Sequence, residues 1–145
     1  MDGVADRPVV PKILILIGSE SDSPKMEGAL DVLRSGGVEG ELIVSSAHRD
    51  PARTGRLAAR ARDEGFSAII CGAGLSAALP GFVAAHTDLP VIGVPISAGT
   101  LGGLDALLST VQMPTGVPVA TVGIDNSRNA GHLVLRILRM AGLCE

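Results

Sequence analysis

His48 and Arg49 stand side by side in the stretch SSAHRDPAR, Ser45 to Arg53, directly after the short apolar run ELIV. An imidazole exchanges a proton near neutral pH, and a guanidinium can grip a phosphate through two parallel hydrogen bonds. A plain turn would need only the Asp50-Pro51 pair. The two residue types together read as a general acid/base next to a phosphate anchor. Taken alone, His48 also fits a partly buried, hydrogen-bonded loop histidine.

A second chemical stretch is GSESDSP, Gly18 to Pro24. Gly18 suits a sharp turn and a close backbone approach. Ser19, Ser21 and Ser23 offer hydroxyls, and a helix opening at Pro24 offers free N–H groups. That is either a phosphate cradle without a lysine or an ordinary capped loop. Asp22 argues against a pure anion site, because a carboxylate there is better suited to accept hydrogen bonds from ribose hydroxyls. The third stretch, CGAGLSAALPG from Cys71 to Gly81, holds no acid, base or metal ligand. Its small residues predict a narrow pocket with open backbone amides. Cys71 sits in an apolar run and reads as core rather than nucleophile. PISAGTLGG and VQMPTGVP read as fourth and fifth loops, again small, polar and neutral. His86 and His132 read as capping or surface residues. The three histidines lack metal-ligand spacing, and neither GxGxxG nor a Walker A pattern occurs. The spacing thus gives no sign of a metal site.

Elements that would position these loops are legible as five apolar runs. They are KILILI (12–17), ELIVS (41–45), SAIIC (67–71), PVIGV (90–94) and PVATV (118–122). None alternates cleanly, which predicts strands buried on both faces of a parallel sheet. The segments between them read as helices. One has Ser23 as N-cap candidate, Pro24 at the first helical position and a stop at Gly36-Gly37. The next runs from Asp50-Pro51 to Gly65, with Arg53, Arg56, Arg60 and Arg62 on a solvated face. Five strand–helix alternations predict a doubly wound α/β fold, a three-layer sandwich of the flavodoxin-like type. In such a sheet ligands bind beyond the carboxyl ends of the strands, where these loops lie.

The 145 residues suit one domain spanning 12–145, behind a flexible lead-in over 1–11. Apolar residues make up 46%, ample for a core and enough to suggest further burial between subunits. Aromatic residues are only 1%, which disfavours a flavin-binding module that stacks its ligand. A signalling receiver domain would need an acceptor aspartate where Cys71-Gly72 stands. A net charge of −3 argues against a nucleic-acid partner. No apolar run approaches the roughly 18 residues of a membrane span. Two cysteines without a CxxC pair, and no visible signal peptide, suggest a reduced, cytoplasmic setting.

These loops together resemble the PurE family of purine biosynthesis. GSESD is similar to its GSxSD loop and SAHRDP to its SAHRxP loop. LPGFVAAHTDLPVIGVPI and LLSTVQMPTGVPVATVGI match two longer segments, so the resemblance runs from about Ile13 to Leu138. It implies small α/β subunits in a homo-oligomer, an octamer, with active sites at subunit junctions. It implies an imidazole ribonucleotide and CO2 as the small-molecule partners, without metal, biotin or ATP. Under it His48 is the general acid/base and Arg49 binds the phosphate. Ser19 and Asp22 hold the ribose and phosphate region. Gly18, Ser21, Ser46, Ala73, Gly74, Ser76 and Leu79 complete the expected substrate-binding set.

One family class, N5-carboxyaminoimidazole ribonucleotide mutase, moves a carboxyl group from N5 to C4 of the imidazole. The other, aminoimidazole ribonucleotide carboxylase, adds CO2 to C4 directly. The mutase class carries a histidine where this chain has Ala78. The third loop is closer to the carboxylase pattern AGxSNALxG, but with Ala77 in place of the asparagine. SAHRDP and VQMPTGVPVAT side with the mutases. The mutase is therefore the expected activity, with direct carboxylation as the alternative. GIDNSRNAGHL is similar to the PurE-like domain of the carboxylase that builds the nickel-pincer cofactor. That leaves a carboxylase acting on a nicotinate dinucleotide as the remote alternative. Glu145 falls short of the tail usual in PurE proteins, so an altered exchange of the last helix between subunits is expected.

Overall fold

The computed structural model describes residues 9–145, so most of the expected lead-in lies outside the described residues. The five apolar runs form five parallel strands: β1 (Lys12–Ile17), β2 (Glu39–Val44), β3 (Phe66–Gly74), β4 (Val91–Ile96) and β5 (Ala120–Thr121). Their order in the sheet is β2-β1-β3-β4-β5. The helices between and after them are α1 (Ser23–Ser35), α2 (Pro51–Arg60), α3 (Leu79–Ala84), α4 (Leu104–Val111) and α5 (Ser127–Met140). The expected doubly wound three-layer α/β sandwich is what forms: α1 and α5 cover one face, and α2, α3 and α4 the other.

β1 shows why the sequence folds this way. Side chains of a strand alternate between faces. Ile13, Ile15 and Ile17 enter the core under α1 and α5, while Leu14 and Leu16 enter the core under α2 and α3. All five have no exposed surface, each contributing about 1.5–3 kcal/mol of burial. A strand apolar on both sides has to be central, and β1 pairs with β2 on one side and β3 on the other. Close packing of α1 on α5 depends on a missing side chain. A Cβ on Gly131 would lie 3.0 Å from Val32 and 3.2 Å from the Ala29 carbonyl.

The sheet edges depart from the sequence reading. β2 is not buried on both faces. As an edge strand it leaves Glu39, Glu41 and Val44 exposed, and only partly buries Leu42 and Ile43. It also begins two residues earlier than the ELIVS run. β5, at the other edge, shrinks to Ala120–Thr121, because Pro118 has no N–H for the ladder. β3 is longer than SAIIC, reaching Gly74, and β4 ends at Ile96. Two helix ends also move. Ser23 is the first residue of α1 and Asp22 takes the N-cap position. α1 stops as expected, with Gly36 at the C-cap and Gly37 left-handed at φ 73°. α2 ends at Arg60, and Ala61–Gly65 unwinds into turns closed by Gly65 at φ 90°.

The chain passes from β1 outward to β2 and then returns to β3 on the opposite side of β1. The loops after β1 and β3 therefore diverge at their carboxyl ends and leave a crevice, the usual ligand position in an open α/β sheet.

Candidate active site

A cleft of about 340 Å³ opens at that point. It is lined by Gly18, Ser19, Ser21 and Asp22 after β1, by Ser46, Ala47, His48 and Arg49 after β2, and by Ala73–Ser76, Ala78 and Leu79 after β3. Ala98, after β4, closes one side. All eleven expected site residues line this one cavity. The sequence reading missed Ala47, Leu75 and Ala98, whose side chains carry no chemical signature. A larger hollow of about 530 Å³ near Pro90 and Pro118 has Asp88 as its sole titratable lining residue. Asp88 is already paired to Arg62 at 2.9 Å, so that hollow offers little chemistry.

The first wall is a single tight turn, Glu20–Asp22. The Ser19 hydroxyl accepts a bond from the Ser21 amide at 3.4 Å and shares one with the Ser21 hydroxyl at 2.9 Å. The Asp22 amide donates to the Ser19 carbonyl at 3.0 Å. Gly18 is not left-handed, so its value lies in space rather than in a sharp turn. A Cβ there would meet nothing within 4 Å, and its absence leaves room for a ligand. Asp22 sits at the N-cap of α1, yet its side chain makes no capping bond. Its oxygens are left for the cleft. Burial pushes its carboxyl above the ordinary value, and the nearby Lys25 ammonium opposes that rise.

The second wall is held from beneath. The buried Ser45 and Thr54 hydroxyls are 2.7 Å apart. Thr54 also reaches the Ser46 carbonyl at 3.1 Å and the Asp50 carbonyl at 2.9 Å. Asp50 caps α2 by accepting from the Arg53 amide at 3.1 Å, and the Arg53 guanidinium donates to the Val44 carbonyl at 2.6 Å. The Ser46 hydroxyl accepts from the Arg49 amide at 3.1 Å. This braced loop carries His48 and Arg49 outward. Both are exposed, and among the described residues neither ring nor guanidinium is engaged in a hydrogen bond or ion pair. The loop-histidine reading of His48 therefore loses its support.

The third wall is backbone and methyl. Leu75 is left-handed at φ 55° and about half exposed. Leu79 and Ala77 are buried beneath the wall. Ala78 occupies the N-cap position of α3 and makes no side-chain cap. Cys71 is wholly buried, and burial drives its thiol far above the ordinary range, as a core residue should be. His86 Nδ1 donates to the Phe82 carbonyl at 2.7 Å and its ring lies tilted against the Phe82 ring, away from the cleft. His132 is exposed on α5, also away from it. Among the described residues no three His, Cys, Asp or Glu side chains gather as metal ligands would.

One loop was misplaced in the sequence reading. VQMPTGVP joins α4 to β5 at the amino edge of the sheet, opposite the cleft. The true fifth strand-to-helix loop is 122–126, and it is not neutral. Asp125 there accepts from the Ser97 amide at 2.8 Å and from the Ser97 hydroxyl, and lies 3.5 Å from the Lys25 ammonium. Partial burial tends to raise the Asp125 carboxyl, but the Ser97 bonds and Lys25 outweigh it and hold it below the ordinary value.

Comparisons with known proteins place nearly the whole chain beside one family. Residues 12–142 match the family model described as AIR carboxylase. The chain is 53% identical over 128 residues to N5-carboxyaminoimidazole ribonucleotide mutase of Pyrococcus horikoshii, covering 88% of this chain and 72% of that one. It is 52% identical over 130 residues to phosphoribosylaminoimidazole carboxylase of Saccharomyces cerevisiae, covering 90% of this chain but 23% of the larger protein. The crystal structure of PurE from Treponema denticola superposes with a TM-score of 0.78 at 29% identity, over 90% of this chain and 81% of that one. With half of its residues shared with a mutase along most of both chains, and the family's match running from β1 beyond α5, the protein belongs to the AIR carboxylase family.

Proposed function

We propose that the protein is an N5-carboxyaminoimidazole ribonucleotide mutase of de novo purine biosynthesis. The observation that carries this reading is the pairing of free His48 and Arg49 side chains on one wall of the cleft with Ser19, Ser21 and Asp22 on another. Arg49 anchors the phosphate, and Asp22 accepts from the ribose hydroxyls. The N5 carbamate takes a proton and releases CO2. C4 of the resulting aminoimidazole is an enamine carbon and attacks that CO2. The adduct then loses its C4 proton and regains aromaticity. One proton is consumed and one released, so His48 serves both steps by giving and then taking. The small third wall, with Ala73, Gly74, Ser76, Ala78 and Leu79, is suited to confine CO2 and to face it with backbone amides.

A second reading is direct carboxylation of aminoimidazole ribonucleotide by free CO2. Ala78 favours it, because no ionisable side chain stands there to handle the carbamate. Purified protein should be offered the N5-carboxylated nucleotide in one assay and aminoimidazole ribonucleotide with bicarbonate in another. The mutase reading expects faster turnover of the first, abolished in His48→Asn while nucleotide binding persists. Ala78→His should shift the ratio further toward the carbamate. Near-parent activity in His48→Asn removes that residue from the mechanism. A parent that turns over only the second substrate makes it a carboxylase.

The family resemblance also supports a homo-octamer working in the cytoplasm. Leu101, Leu104, Leu108 and Val111 form an apolar stripe along and just before α4, each about half exposed or more, which fits burial against a second copy. Among the described residues no helix is long and apolar enough to cross a membrane.

A further inference from the structure

Lys25 lies in the first turn of α1, where the helix dipole disfavours a cation. Its ammonium is nevertheless fixed. It donates to the Ser97 carbonyl and to the Ser97 hydroxyl, both at 2.7 Å, and pairs with Asp125 at 3.5 Å. Asp125 is itself held in the left-handed region at φ 59°, with its amide on the Pro95 carbonyl at 2.8 Å and its carboxylate on Ser97. Two loops at the carboxyl edge thus immobilise one lysine, at a cost in side-chain freedom that needs a return. The return lies three residues back in the chain, at Asp22. No ion pair joins Lys25 to Asp22 among the described residues, yet the ammonium acts on that carboxylate through space.

We propose that Lys25 is a positioning residue for the cleft: Ser97 and Asp125 hold its ammonium near Asp22 as a counter-charge, without letting it cover the carboxylate oxygens that receive the substrate. This rests on the reading of the cleft as a nucleotide site. A lysine free to swing would form a direct pair with Asp22 and compete with ribose hydroxyls. A lysine removed would leave a half-buried carboxylate whose ionised form, the stronger acceptor, burial disfavours further. The other charges around Asp22 are Glu20 on its own turn, His48 and Arg49 on the facing wall, and Asp125 beyond Lys25. Glu20, His48 and Arg49 are exposed and make no side-chain bond among the described residues, whereas the Lys25 ammonium is held by Ser97 and Asp125.

The test follows the Asp22 carboxyl by NMR across a pH titration of the ligand-free protein, in the parent, Lys25→Met and Lys25→Arg. The Asp22 midpoint should rise in Lys25→Met and stay near the parent's in Lys25→Arg, which keeps the charge. In turnover assays Lys25→Met should raise KM for the nucleotide several-fold with little change in kcat, and move the acid limb of kcat/KM upward. An Asp22 midpoint that does not rise in Lys25→Met overturns the proposal, as does a loss confined to kcat. The titration needs no substrate. If the midpoints move as expected but neither nucleotide is turned over, the proposed reaction fails and the counter-charge stands.

Discussion

Burial holds the Asp22 carboxyl above its ordinary value of 3.8, with Lys25 opposing the rise. The ionised form is thus less favourable in the folded chain than in the unfolded one. Below pH 3.8 both states are protonated and the difference vanishes; as pH rises through the folded-state value, stability is lost and stays lost at neutrality. Asp22→Asn should therefore be more stable than the parent at pH 7, with the gain fading by pH 3. Urea midpoints at the two values check this. The same substitution should weaken nucleotide binding, since it removes a charged acceptor from the cleft. A residue kept at a cost to the fold is what a ligand site is expected to contain. Asp125 behaves in the opposite sense: held low by Ser97 and Lys25, it adds stability that is present at neutrality and lost as the solution is acidified through its lowered value.

At the scale of elements, the Ser45–Thr54 contact joins the end of β2 to the first turns of α2 and frames the His48 loop. Thr54→Val keeps the shape but removes the hydroxyl, leaving buried Ser45 without that partner. The expected cost is about 1–3 kcal/mol, with a fall in kcat/KM from a looser loop, and Thr54→Ser should retain more of both. Denaturant midpoints and steady-state rates measure the two effects. This level also shows what sequence can and cannot reveal. β1 was legible to the residue because KILILI is apolar on both faces and has nowhere to go but the centre. β2 and β5 were drawn with the wrong limits because an apolar run does not say whether a second neighbour will cover it. His48, Arg49, Ser19 and Asp22 were legible because each lies in a loop directly after an apolar run. Lys25 and Asp125 were not. They are separated by 100 positions, each looks like ordinary helix-end polarity, and only the return of β4 and β5 to the same edge brings them together.

For the whole molecule, the α4 stripe of Leu104 and Leu108 should be covered in solution. Leu104→Glu combined with Leu108→Glu is expected to convert an assembled parent into smaller species by light scattering, while the monomer's circular dichroism stays unchanged. A parent that is already monomeric at micromolar concentration would sink the assembly reading. The arrangement of the cleft has a consequence for how such a protein can change through generations. Every cleft residue but Ala98 lies between Gly18 and Leu79, and the leucine stripe lies beyond it in the chain. If copies of the chain meet through that stripe, a lineage can remodel those contacts in its later segments while inheriting its chemistry intact. The Lys25–Ser97–Asp125 contact ties the early segment to the late one. Drift at any one of those three positions leaves the other two as a burden to be relieved by a second change, so at this small rivet the early and late segments of the chain are bound to change together.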